Sequence, residues 1–161
     1  MKSTDNEVFH SPTLGKMTFE EAVSCRLEFI KKEEGAYKVI IGTDSEAMSS
    51  GLIDFVTALV VHHIGKGGVY FWSRLERNHI HSLRQRIYEE AMYSLALAQR
   101  VVEAFGQKKA VQDVEIHVDI GQKGPTRELI AEVVGMIRGN GFNVKTKPDA
   151  FGASSVADRH T

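Results

Sequence analysis

The stretch Tyr37–Glu46, YKVIIGTDSE, decides the fold. Val39, Ile40, Ile41 and Thr43 climb through a glycine to Asp44, where the apolar run ends. A near-continuous Val/Ile run reads as a strand buried on both faces, the central strand of a sheet with helices on each side. An aspartate at the end of such a strand opens into the crevice where α/β proteins place their sites.

Downstream, Met48–Gly51 reads as a turn and Phe55–His63, FVTALVVHH, as a second strand rich in β-branched and aromatic residues. Gly65-Lys66-Gly67-Gly68 turns the chain into Val69–Leu75, VYFWSRL, a third strand. Short turns between these runs predict an antiparallel meander. The period then becomes helical over 82–105, with Ile87, Ala91, Leu95, Ala98 and Val102 on one face. Val114–Asp119 is again a strand. Pro125 opens a helix whose buried face is Leu129, Ile130, Val133, Val134 and Ile137, and Gly139-Asn140-Gly141 ends it. Phe142–Thr146 is a short last strand, and Ala153–Thr161 suits a terminal helix.

Upstream, residues 1–16 read as an extended lead-in to a single domain spanning 17–161. Thr18-Phe19-Glu20-Glu21 has capping-box spacing, and Phe19, Val23, Leu27 and Ile30 follow at helical intervals. The expected architecture is α/β. Its five-stranded mixed sheet joins a three-strand antiparallel meander to a βαβα tail, with helices on both faces and an N-terminal helix.

Composition sets outer bounds. The chain has 161 residues, 42% apolar and 25% charged, which suits one globular domain. Twenty basic against 21 acidic residues leave any electrostatic footprint to local clustering. The single cysteine, Cys25, excludes an internal disulfide and a cysteine-based zinc site. No apolar run is long enough to cross a membrane, and the polar start MKSTDNE is not a signal peptide, so the expected location is cytoplasmic.

Asp119 repeats the pattern of Asp44: apolar strand, aspartate, then glycine. If the two strands are parallel neighbours, their carboxylates lie side by side and repel, and a divalent cation removes the repulsion. Oxygen-only ligands select Mg²⁺ or Mn²⁺. Of the adjacent Glu89 and Glu90, periodicity puts Glu90 on the sheet-facing stripe with Ser94, where a carboxylate needs a partner or a metal. The small-residue run Ala153–Ala157 lets a helix approach the sheet and bring in Asp158, with Asp149 as the alternative. Plainer readings exist: turn-forming aspartates, an i, i+4 pair of Arg86 with Glu90, and a surface charge at Asp158. Lys123 and Arg127 after the Asp119 strand, and Lys145 and Lys147 before the last helix, are candidate phosphate contacts. Arg74 and Arg77 near Trp72 offer a second such surface.

With these residues in place, the chain resembles the ribonuclease H-like superfamily. More narrowly, GTDSE, HVDIGQKGPTRELI and ASSVADRHT resemble the YkuK-like family of predicted RNase H-fold proteins. The resemblance implies that Asp44, Glu90, Asp119 and Asp158 form the catalytic, metal-binding set. It implies two Mg²⁺ or Mn²⁺ ions ~4 Å apart that support phosphodiester hydrolysis in RNA, DNA or a hybrid. The alternative is a non-catalytic module that uses the same fold to bind nucleic acid or a protein, for which Glu90 need not face the sheet.

Overall fold

The structure, a computed structural model, describes residues 7–32, 37–63, 65, 67–105, 114–121, 127–147 and 149–150. Among the described residues seven strands form one sheet: β1 (Phe9–Ser11), β2 (Gly15–Met17), β3 (Tyr37–Ala47), β4 (Ile53–His63), β5 (Gly67–Arg77), β6 (Val114–His117) and β7 (Asn143–Lys145). Their order across the sheet is β2-β1-β5-β4-β3-β6-β7. The described helices are α1 (Phe19–Lys32), α2 (Leu83–Phe105) and α3 (Ile130–Gly139), the last led in by a 3-10 turn at Arg127–Leu129.

The expected five strands are β3 to β7, in the expected order and senses: β3, β4 and β5 antiparallel, then β6 and β7 parallel to β3. The count of five is corrected to seven. Residues 9–16 of the supposed lead-in, together with Met17, form the β1–β2 hairpin, whose His10 pairs with Trp72 on the edge of β5. The hairpin is too short to carry a clear alternating pattern. Its signals are tertiary: Phe9 is fully buried against α1, and His10 stacks on Trp72 with ring centroids 4.4 Å apart.

A second correction concerns the layers. Val39, Ile41, Leu59, Phe71 and Ile116 share one large core with α1, α2 and α3, so all three described helices lie on one face. The crossovers β5-α2-β6 and β6-α3-β7 join parallel strands and travel the same way across the sheet, so one handedness puts both helices on the same side. On the other face Ile40, Val56 and Ala58 form a small buried cluster, with Val60 and Trp72 against it. The segment expected to be a terminal helix, 153–161, lies outside the described residues, as do the side chains of Leu27 and Ile30.

Local chemistry accounts for the ends of these elements. The Thr18 hydroxyl accepts from the Glu21 amide (3.1 Å) and the Glu21 carboxylate accepts from the Thr18 amide (2.8 Å), which closes the capping box. Gly51 sits at φ 87° in the β3–β4 turn and donates to the Met48 carbonyl. A side chain at Gly68 would place its Cβ 2.6 Å from the Val61 carbonyl oxygen, so the β4–β5 ladder closes only over glycine. Ile87, Ala91, Leu95 and Ala98 are buried as expected, but Val102 is exposed and Val101 is fully buried. Ser94 and Leu97 are buried as well, so the buried stripe is broader than the apolar row and extends to the side on which Val101 lies. Among the described residues no helix is long and apolar enough to cross a membrane.

Candidate functional site

β3 lies where the strand order switches. The chain leaves it for β4 and β5 on one side and returns to β6 and β7 on the other, so the carboxyl ends of β3 and β6 flank the crevice such sheets use. The β3–β6 ladder stops at the pair Gly42–His117. Two residues further along the two chains come Asp44 and Asp119, level with each other by register. β3 does not end at Asp44, as the sequence suggests; it runs on to Ala47, because β4 keeps pairing with it as far as Ile53. Asp44 therefore stands within a strand that has lost its β6 neighbour. It is half-buried, and Asp119 is exposed just past the end of β6.

Alternation along β3 turns Thr43 and Ser45 toward α2. Thr43 Oγ1 lies 2.8 Å from Ser94 Oγ and 3.0 Å from Thr57 Oγ1. One turn earlier on α2, Glu90 Oε1 accepts a hydrogen bond from the Ser45 hydroxyl (2.5 Å). Ser94 and Glu90 thus share the sheet-facing stripe, while Glu89 interacts with Tyr93 instead. Arg86 does not simply pair with Glu90: its Nε donates to Ser45 Oγ (3.2 Å) and its Nη2 to the Ser45 carbonyl (2.8 Å). The serine hydroxyl is therefore a junction between a guanidinium and a carboxylate.

Burial pushes the Glu90 carboxyl up to about 8. The Ser45 hydrogen bond opposes this, the charges of Asp44 and Asp119 add to it, and Arg86 again opposes it. Both aspartates therefore act on the carboxyl of Glu90. Lys147 closes the group: its Nζ lies 2.7 Å from Asp119 Oδ1. That hydrogen bond and the charges of Asp119 and Asp44 raise the ammonium's pKa, burial opposing.

The remaining expectations divide. Asp158 and Lys123 lie outside the described residues. Arg127 is exposed at the start of the 3-10 turn, and Asp149 is exposed in the turn after Lys147. Lys145 faces Glu115 at 4.0 Å. His117 binds Glu115 through Nε2 (2.5 Å), and Lys38 lies 3.3 Å from the same carboxylate. Burial works against the Glu115 anion, but the bonds from His117 and Lys38 outweigh it and hold the carboxyl low. Burial likewise holds the His117 imidazole below its usual value in spite of Glu115. Arg74 pairs with Asp54 at 3.2 Å and lies over Trp72. Ser45 and Arg86 carry geometry that was not read from the sequence as part of the site. The available signal was alternation: a polar residue directly after Asp44 has to face the helix.

The donor set suits a hard divalent cation, since Asp44, Glu90 and Asp119 offer only carboxylate oxygens. A cation of the chain's own, the Lys147 ammonium, already sits in their field. Among the described residues no three His, Cys, Asp or Glu side chains lie close enough to share one ion.

The description "Ribonuclease H-like" matches residues 21–161. The chain is 34% identical to the protein named "Uncharacterized protein YkuK" from Bacillus subtilis (strain 168), over 98% of this chain and 98% of that protein. No solved structure matches it significantly. The switch point between β3 and β6 and the family match over nearly nine-tenths of the chain agree, and the chain belongs to the ribonuclease H-like family, with a YkuK relative along its full length.

Proposed function

We propose that the protein is a divalent-metal-dependent nuclease that hydrolyses phosphodiester bonds in nucleic acid. One observation carries the reading: a half-buried glutamate on α2, bonded to Ser45, is held toward its neutral form by burial, and the charges of two aspartates from neighbouring parallel strands add to it. A structural glutamate gains nothing from such company, whereas a ligand set for a divalent ion requires it.

Asp44, Glu90 and Asp119 would hold the ions, with Asp158 as the fourth acid. Bound Mg²⁺ or Mn²⁺ supplies charge neutralisation and in-line activation for phosphodiester hydrolysis. The chain's own part is to position and orient. Ser45 and Arg86 fix the rotamer of Glu90, the β3 backbone fixes Asp44, and Lys147 stands beside Asp119; Lys123 and Arg127, which follow Asp119 in sequence, would join it as phosphate contacts. The direct test is purified protein with Mn²⁺ against single-stranded RNA, an RNA–DNA hybrid and branched DNA. At least one should be cut by wild type and spared by Asp44→Asn. Inactivity on all three with metal demonstrably bound would leave the non-catalytic binding module, a reading favoured by the fact that Lys147 already neutralises Asp119.

A further inference from the structure

Lys147 is held in two unlike ways. Its backbone is tied to the chain just past the end of the sheet: the Val118 amide donates to the Lys145 carbonyl (2.9 Å) and the Lys147 amide to the Ile120 carbonyl (3.0 Å). These bonds flank Asp119 and extend the β6–β7 pairing past its last residues. The Asp149 and Ala150 amides both donate to the Thr146 carbonyl (2.9 Å each), which folds the next residues back into a turn. The lysine side chain, by contrast, is 57% exposed, and its ammonium is 2.7 Å from a carboxylate that is itself 38% exposed. A fixed root with a long, solvated arm makes a cation that can leave Asp119 without any movement of the backbone. An exposed ion pair of this kind is weak enough to be displaced by a doubly charged ion.

On the nuclease reading, on which this rests, we infer that Lys147 is an exchangeable counter-ion. It holds Asp119 until a divalent ion takes that carboxylate, and its ammonium then serves as the binding group for a phosphate of the substrate. The arrangement orders events. Before the ion enters, Lys147 is occupied and contributes nothing to nucleic-acid binding. After it enters, a positive charge on a tether anchored beside Asp119 is released at the rim where the phosphate must sit. Metal uptake and substrate affinity thereby become coupled through one residue. Lys145 is differently placed: it faces Glu115 and does not take part in the exchange.

The test is calorimetric titration with Mn²⁺ alone, followed by anisotropy of a fluorescent single-stranded RNA with and without Ca²⁺. Lys147→Met removes the competitor and should bind Mn²⁺ more tightly than wild type, by up to about fivefold, the most an exposed ion pair allows. Lys145→Met should shift Mn²⁺ affinity by less than half as much, which separates displacement from a general change in field. Lys147→Met should weaken RNA binding only when Ca²⁺ is present, and Lys147→Arg should largely restore it. Equal Mn²⁺ affinities for wild type and Lys147→Met, or RNA binding lost equally with and without the ion, would overturn the exchange while leaving the metal site intact. A wild-type protein that takes up no Mn²⁺ would remove the nuclease reading and the exchange together.

Discussion

Glu90 is a carboxyl that burial holds toward its neutral form, and its protonation has consequences in two directions. Its folded pKa, about 8, lies above the ordinary 4.5, so the folded protein binds the proton more tightly than the unfolded chain does. Stability from this group is full below the ordinary value and is lost as pH rises toward 8. Metal-free wild type should accordingly lose stability between about pH 5 and pH 8. Glu90→Gln should flatten that slope in urea titrations across the range, and Glu89→Gln should not. Metal binding must expel the same proton, so Mn²⁺ affinity should climb about tenfold per pH unit below 8 and level off above it. The two glutamine variants should divide in the same way in nuclease assays. Equal damage from both would mean that the helix phase does not select the ligand. The choice between the two glutamates was legible from periodicity alone, because a helix repeats every 3.6 residues and Ile87 and Ala91 set its phase. The role of Ser45 was not, since nothing local announces which side chain will meet Arg86 across 41 residues of chain.

Strand register explains a feature on the meander that no single residue reveals. Glu46, Asp54 and Glu76 stand opposite one another on β3, β4 and β5, three carboxylates in one row. Like charges directly across a sheet repel. Asp54 is buried in the middle, and burial with Glu76 and Glu46 raises its pKa while Arg74 lowers it. Arg74→Met should cost about 1–3 kcal/mol, the usual penalty for a buried group that loses its partner. The loss, read from urea unfolding, should shrink at acid pH as Asp54 takes up its proton. β3 shows how much of an element its sequence conveys. Its apolar run placed the strand and its centrality, but the point where it stops depends on β4, which pairs with it beyond Asp44 to Ala47. The β1–β2 hairpin shows the reverse case. Three-residue strands carry too little pattern to read, and they form because Phe9 finds the core and His10 finds Trp72.

On the proposed reading, ions held by Asp44, Glu90 and Asp119 would tie together β3, α2 and the end of β6, which are separate in the chain. Ligand that binds only the folded form stabilises it by about 2.7 kcal/mol at a hundred times its dissociation constant. For a chain of this size that is a rise of about 5–10 °C in melting temperature. Asp44→Asn should abolish the rise by removing a ligand. The same change should move the stability of the metal-free protein little, because it removes both a charge that opposes Glu90 ionisation and one that favours the Lys147 ammonium. A variant that keeps the full metal-induced shift would take Asp44 out of the site. The sequence by itself determined the strand and helix order from Tyr37 to Lys145, the parallel grammar of Asp44 and Asp119, and the phase of Glu90. Each of these is written in periodicity or in a short run of residue types, and periodicity is a local property. Only the tertiary structure decided the seven-strand count, the gathering of the described helices on one face, the Ser45 junction and the seat of Lys147 on Asp119. Those depend on which surfaces meet once loops have closed, and the pairing of residues distant along the chain is set by packing and register, not by the composition of either partner.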